Sequence, residues 1–338
     1  MTGVRLEQLA WIGARGPDAR KFLQGQVSQD VLGQPTDRVA LAGLHNPQGR
    51  AVAILRLVPL AEDALLLGLP AEIAAAVIQR LRRYVLRAKL ALEDVSADWL
   101  AIGLAGDEAA ATLAAVGLLP TRPEPGALAR QGERLAWRHS ADPERFIVLA
   151  PRGNEWPPAL QPADDGAATA AQRNWQSADV AAGLPQVRAA TAEAFVAQML
   201  NLDVLQGISF EKGCYTGQEV IARAHYRGRV KRRLQRFRTL GAPAAKLAPG
   251  DTGMLPDGRG FRVVEVAALA DGRVEFLAVA PLSAGAAGDD DTAGATPAAI
   301  VATAAAGSDT TATDPQAGHA ATGTWNVESL PLPYALPD

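Results

Sequence analysis

The chain's one cysteine lies in the segment Gly207-Ile208-Ser209-Phe210-Glu211-Lys212-Gly213-Cys214-Tyr215-Thr216-Gly217-Gln218-Glu219, between Gly213 and Gly217. Glycine lets a backbone bend sharply or approach a ligand closely. On an extended chain a two-residue offset puts Lys212 and Cys214 on one face. A neighbouring ammonium lowers a thiol's pKa and raises its thiolate fraction. Cys214 would then be a nucleophile and Lys212 its activating cation. If the glycines bend the loop instead, Lys212 points elsewhere, and free cysteines are commonly just packed in a core. Gln218 and Glu219 open an expected helix, where a carboxylate near the N-terminus is favourable.

A basic tract follows. Ala222 to Arg238 holds eight Lys or Arg residues and no Asp or Glu. Such a cluster suits phosphates, an oligoglutamate tail or an acidic protein, or it is a solvated edge. Only Tyr226 and Phe237 interleave the charges, which is thin for a platform that stacks single-stranded bases. The four histidines, His45, His139, His225 and His319, show no metal-ligand spacing. One thiol excludes an internal disulfide, an all-thiolate zinc site and a self-sufficient four-thiolate iron–sulfur site.

The elements that must carry these residues are read from apolar patterning. At 338 residues, 48 % hydrophobic and 20 % charged, the chain suits a globular protein of about two domains. A net charge of −3 argues against a globally basic nucleic-acid binder but not against a local patch. No charged-then-apolar leader opens the sequence and no run of 18 apolar residues could span a membrane, so the cytoplasm is the expected setting. Asp18 is placed to cap a short helix that Gly25 closes. Val39–Leu44, the turn Asn46-Pro47-Gln48-Gly49 and Ala51–Pro59 read as strand, turn, strand, with a further run at Ala64–Leu69. Ile73, Val77, Leu81 and Val85 predict a helix from Pro70 to about Lys89. Leu100–Leu104 and Phe146–Ala150 read as strands around a small helix at Asp107–Val116. Pro151–Ala170 reads as a connection and Phe195–Leu205 as a helix. Phe261–Leu269 and Arg273–Ala280, joined through Asp271-Gly272, predict a hairpin in a small antiparallel domain with Gln235–Leu240. Ser283–Gly323, rich in Ala, Gly, Thr and Asp, reads as a low-complexity insertion before a final strand at Trp325–Leu330.

Lys212-Gly213-Cys214-Tyr215-Thr216-Gly217-Gln218-Glu219 resembles the signature of the YgfZ-type folate-binding proteins. These are relatives of the glycine-cleavage T-protein, an aminomethyltransferase, and their mitochondrial counterparts act in iron–sulfur cluster maturation. Phe22-Leu23-Gln24-Gly25-Gln26-Val27, Asn46-Pro47-Gln48-Gly49-Arg50, Asn201-Leu202 and Pro331-Leu332-Pro333-Tyr334 extend the resemblance over nearly the whole chain outside 283–323. It implies a T-protein-like α+β fold with three subdomains around a central channel: two interleaved α+β parts in residues 1–238, then an antiparallel β-barrel in 239–338 interrupted by the insertion. Tetrahydrofolate would occupy the channel. Trp175, ahead of Ala182-Gly183-Leu184-Pro185, matches one folate-site tryptophan. Register places the other at Leu9, so either Trp11 substitutes after a two-residue shift or that contact is only aliphatic. Iron–sulfur enzymes or cluster carriers are the implied partners, and tRNA modification depends on them indirectly.

Two departures bear on chemistry. Ala181 stands where T-proteins carry a glutamate suited to a pterin's donor edge. Asn46 stands where a transferase would want an ionised aspartate, and an amide is no general base. The expectation is a folate-binding accessory protein of iron–sulfur assembly or repair, with Cys214 beside the pteridine cavity. A tetrahydrofolate-dependent one-carbon transferase and an RNA-binding module that uses the basic tract are the alternatives.

Overall fold

The computed structural model describes residues 3–162, 165–243, 246–282 and 325–337. The 283–323 insertion lies outside them. The first half runs β1 (Val4–Arg5), β2 (Leu9–Arg15), α1 (Ala19–Gln24), β3 (Ala40–His45), β4 (Ala51–Ala61), β5 (Ala64–Pro70), α2 (Ala71–Arg82) and β6 (Ala91–Asp94). It continues through β7 (Trp99–Ala105), α3 (Ala109–Ala115), β8 (Leu128–Gln131), β9 (Arg134–Ala141) and β10 (Glu144–Pro151). After α4 (Asp165–Ala181) and α5 (Gln218–Tyr226) come β11 (Arg232–Thr239), β12 (Thr252–Met254), β13 (Gly260–Ala268), β14 (Val274–Pro281) and β15 (Val327–Leu330).

These strands form three antiparallel five-stranded sheets, in the orders β3-β4-β5-β2-β6, β1-β7-β10-β9-β8 and β12-β13-β14-β11-β15. The amino-terminal β1 joins the second sheet before β2 begins the first, so these two sheets are interleaved in sequence. In the third sheet the two edges meet where Trp325 N–H donates to the Met254 carbonyl at 2.9 Å. Its first strand in sequence, β11, straddles the expected boundary at 238–239.

One strand explains the layering. β4 is almost continuously apolar because both its faces are covered. On one side Ala53, Leu55 and Leu57 pack with Phe22 and Leu23 of α1 and Ile73, Val77 and Leu81 of α2. On the other, alternation lines up Ile54, Arg56 and Val58. Ile54 packs with residues of the third sheet, including Val264 and Leu277. Val58 packs with Trp11, Trp137 and Ile147, joining the first sheet to the second. Arg56 is thus left at the meeting point of all three sheets.

Several local expectations are corrected. The helix begins after Pro70 as expected but ends at Arg82, because the chain must turn back to reach β6, and the Arg82 guanidinium donates to the Leu92 carbonyl at 2.6 Å. Asp18 takes the N-cap position of α1 without a side-chain cap bond; its carboxylate accepts the Lys89 N–H at 2.7 Å instead. Phe195–Leu205 holds only the 3-10 turn Ala197–Leu200. Conversely, α4 starts inside the stretch read as a connection and carries Trp175.

Candidate functional site

The signature loop is clasped by two other segments that the resemblance picked out. Lys212 is buried, and its ammonium donates to the carbonyls of Gln24, Val27 (2.7 Å) and Gln29 (3.0 Å). It also lies 4.9 Å from the centre of the Tyr215 ring. Nearby, Ser28 Oγ donates to the Gly207 carbonyl at 2.6 Å and Ser209 N–H to the Ser28 carbonyl at 2.9 Å. On its other side the loop packs on the turn 46–50. Gly217 has φ +83°, and a Cβ there would lie 2.5 Å from the Asn46 carbonyl oxygen. Gly213 has open space around it and no positive φ, so only the second glycine is demanded by geometry.

Cys214 is a free, exposed thiol at the crest of this loop. The expected Lys212–Cys214 partnership is therefore corrected. The lysine's three N–H donors are all committed to backbone carbonyls, so it anchors the loop and is not the thiol's activating cation. Burial pushes its pKa down to about 8, against the opposing pull of Asp30. Lys212→Met should leave three inward-facing carbonyls without a donor and cost about 3 kcal/mol, read as a lower urea midpoint. A catalytic lysine would instead leave that midpoint in place.

Asn46 is fully engaged. Its Nδ2 donates to Glu193 Oε2 at 2.9 Å and its Oδ1 accepts the Arg50 N–H at 2.9 Å. Glu193, at φ 58°, is itself bound by Arg80 at 2.6 Å.

A second constellation sits where the three sheets meet. Arg56, Trp175, His139, Asp179, Gln186, Arg188, Glu265 and Leu9 line a cavity of about 20 Å³, room for about one water molecule. Trp175 is stacked on His139, with ring centres 5.4 Å apart, and Arg145 lies 4.6 Å from the indole. Asp179 accepts from Arg145 at 2.8 Å and meets His139 Nε2 at 3.0 Å. Burial alone would raise the Asp179 carboxyl, but Arg145 and His139 hold it well below the usual carboxylate range. Burial pushes Arg56 down; the Gln186 carboxamide, turned oxygen-first, accepts from its Nη1 at 2.9 Å and Nη2 at 2.6 Å. Burial raises Glu265 although Arg188 binds it at 2.6 Å.

Leu9, not Trp11, lines this cavity beside Trp175. Two residues along β2 on the same face, Trp11 packs deeper, edge-on to Trp137 at 6.2 Å. It borders a separate cavity of about 260 Å³ with Leu9, Trp99, Asp94 and Arg152. No signature-loop residue lines either cavity, so Cys214 does not border them as expected.

The chain is 32 % identical to the tRNA-modifying protein YgfZ of Edwardsiella ictaluri over 235 residues, which is 69 % of this chain and 70 % of the relative. The chain belongs to the YgfZ family. The YgfZ protein of Serratia proteamaculans is 33 % identical over 238 residues, again 69 % of this chain and 70 % of the relative. Residues 6–120 match the GCVT N-terminal domain. The fold is that of the aminomethyltransferase T of the Bartonella henselae glycine cleavage system, at TM-score 0.60 and 17 % identity, covering 83 % of this chain and 78 % of that one. The T-protein-like α+β architecture expected from the sequence is thus observed in this YgfZ-family chain.

Sequence reading missed the charged half of the cavity. Arg56 was legible as the only charge in the apolar run 51–60. Asp179, Arg145 and Glu265 come from distant elements and carry no shared motif. Among the described residues no group of three or more His, Cys, Asp or Glu could hold a metal ion, and no helix is long and apolar enough to cross a membrane.

Proposed function

We propose that this chain is a folate-binding accessory protein of iron–sulfur cluster assembly or repair, acting in the cytoplasm and supporting tRNA modification indirectly. The observation that carries the folate half is the polar cavity at the junction of the sheets. A pterin presents N–H donors and a carbonyl acceptor along one edge. Asp179 and Glu265 supply carboxylates there although Ala181 does not, and Gln186 and Arg188 supply donors. Trp175 offers a flat ring. Arg145 Nη2, buried without a partner among the described residues, is a donor still to be used. The chemistry fits a pterin; the volume does not until lining side chains part, so tetrahydrofolate enters by moving them. Bound folate would supply a one-carbon carrier, while these residues hold and orient its ring.

The iron–sulfur half rests on Cys214. A lone exposed thiolate can be one ligand of a cluster completed by a partner, or a transient acceptor, but cannot hold a cluster alone. Steady one-carbon transfer is disfavoured because Asn46 cannot take a proton and both its polar atoms are occupied.

Calorimetric titration with tetrahydrofolate tests the site. Wild type should bind, and Trp175→Phe, which keeps the core filled, should bind roughly 2- to 12-fold more weakly through lost indole stacking. No binding by wild type would reject the folate reading. Unchanged affinity in the variant would move the ligand to the cavity beside Trp11.

A further inference from the structure

The basic tract divides in the folded chain. Arg233 is buried and bound to Asp203 at 2.9 Å, Arg236 to Glu275 at 2.7 Å and Arg238 to Glu328 at 2.7 Å. These three arginines neutralise strand β11. Arg223, Arg227, Arg229 and Arg232 are exposed and form no ion pair among the described residues. Arg223 lies in the last turn of α5, Arg227 and Arg229 on the segment that follows it, and Arg232 opens β11.

The same corner gathers aromatic rings that the sequence scatters. Phe210 stacks face to face on His225, with centres 3.7 Å apart and planes 14° from parallel. Tyr226 stands nearly perpendicular to both and is 67 % exposed. Phe237, one of the two aromatics within the tract, is buried in the third sheet and takes no part. Phe210 lies two residues before the signature loop, which returns to α5 at Gly217. The Cys214 loop therefore skirts this corner.

We propose that this arginine-ringed aromatic cluster is a docking surface for a single-stranded nucleic acid. Charge complementarity selects a polyanion. Arginine's planar fork grips phosphate and carboxylate oxygens alike in pairs, but only a nucleic acid also places flat bases between its charges to meet the exposed ring. An exposed tyrosine braced by a stacked pair is the kind of ring on which a base lies without regard to sequence. The four arginines follow the backbone and Tyr226 takes a base.

The full chain should bind a labelled oligouridylate of about 12 nucleotides in fluorescence anisotropy. Neutralising four phosphates on a single strand gives a slope of log K against log salt of about −3, so affinity falls about 50-fold from 50 to 200 mM salt. Arg227→Ser with Arg229→Ser should roughly halve that slope. Tyr226→Ala should weaken binding about tenfold and leave the slope alone. All three substitutions are at exposed positions, and unchanged thermal melts will show that the fold is intact. The proposal is overturned by absence of binding at the lowest salt. It is equally overturned by binding indifferent to these substitutions, or by tighter binding to an oligoglutamate peptide of matching charge.

Discussion

Cys214→Ser should give a protein that unfolds at the wild-type denaturant concentration and yet fails to restore function in cells lacking this chain. The structural half follows from exposure. Cys214 contributes no core packing, and surface substitutions away from caps, cores and networks usually shift stability by less than about 0.5 kcal/mol. The loop does not rely on the thiol for its shape, because Lys212 ties it to the carbonyls at 24, 27 and 29 and Gly217 seats it on the turn at 46–50. The functional half follows from chemistry. A serine hydroxyl matches the thiol in size but neither ionises near neutrality nor binds iron or persulfide sulfur as a thiolate does. The measurement is the modified fraction of cellular tRNA nucleosides, read by mass spectrometry beside the level of soluble variant. Wild-type modification with Cys214→Ser at normal abundance would remove the thiol from the mechanism. The paired variant Lys212→Met separates the roles further, since it should lose stability first and function only as a consequence.

Where the sequence was legible, the reason was local. The strand–turn–strand around Asn46-Pro47-Gln48-Gly49 folds as read because turn chemistry and apolar runs agree, and Gly49 takes φ +72°. The hairpin through Asp271-Gly272 folds as read for the same reason, with Gly272 at φ +83°. What was not legible depended on partners far along the chain. Alternation along β2 puts Leu9 and Trp11 on one face, and only the packing of the second sheet decides that Trp11 meets Trp137 while Leu9 faces Trp175. The offset between Lys212 and Cys214 suggested a shared face; the three carbonyls that turn the lysine inward lie more than 180 residues earlier. Helix α4 was hidden by an alanine-rich composition that reads equally as linker, although its Trp175 and Val180 are core residues. The basic tract looked like one patch, but the acids that silence its second half, Asp203, Glu275 and Glu328, all lie outside it.

Acid should unfold this protein steeply, and the histidines explain where. His45 is buried under the signature loop, tilted against Tyr215 with ring centres 6.4 Å apart, and neither ring nitrogen has a partner among the described residues. Burial pushes its pKa down to about 3. Burial also lowers His139 to about 4, although its hydrogen bond to Asp179 opposes the shift. In the unfolded chain both titrate near the ordinary value of about 6.5. Between that value and the native ones the unfolded state binds protons that the native state refuses, so unfolding becomes easier as pH falls. Each group contributes about 1.4 kcal/mol per pH unit, and the two together about 2.7 kcal/mol per unit from roughly pH 6 to pH 4. Asp179 adds to the loss below the ordinary carboxylate pKa, since its native carboxylate stays ionised while the unfolded one protonates. Glu265, raised by burial, works the other way as one group against two. Urea midpoints taken between pH 7 and pH 4 should trace this slope. His45→Leu should take about 1.4 kcal/mol per pH unit out of it and, by removing an unpaired buried polar group, leave stability at pH 7 equal or higher. A slope that survives His45→Leu unchanged would mean that the imidazole beneath the loop already has a proton partner in solution, and that other groups set the acid dependence.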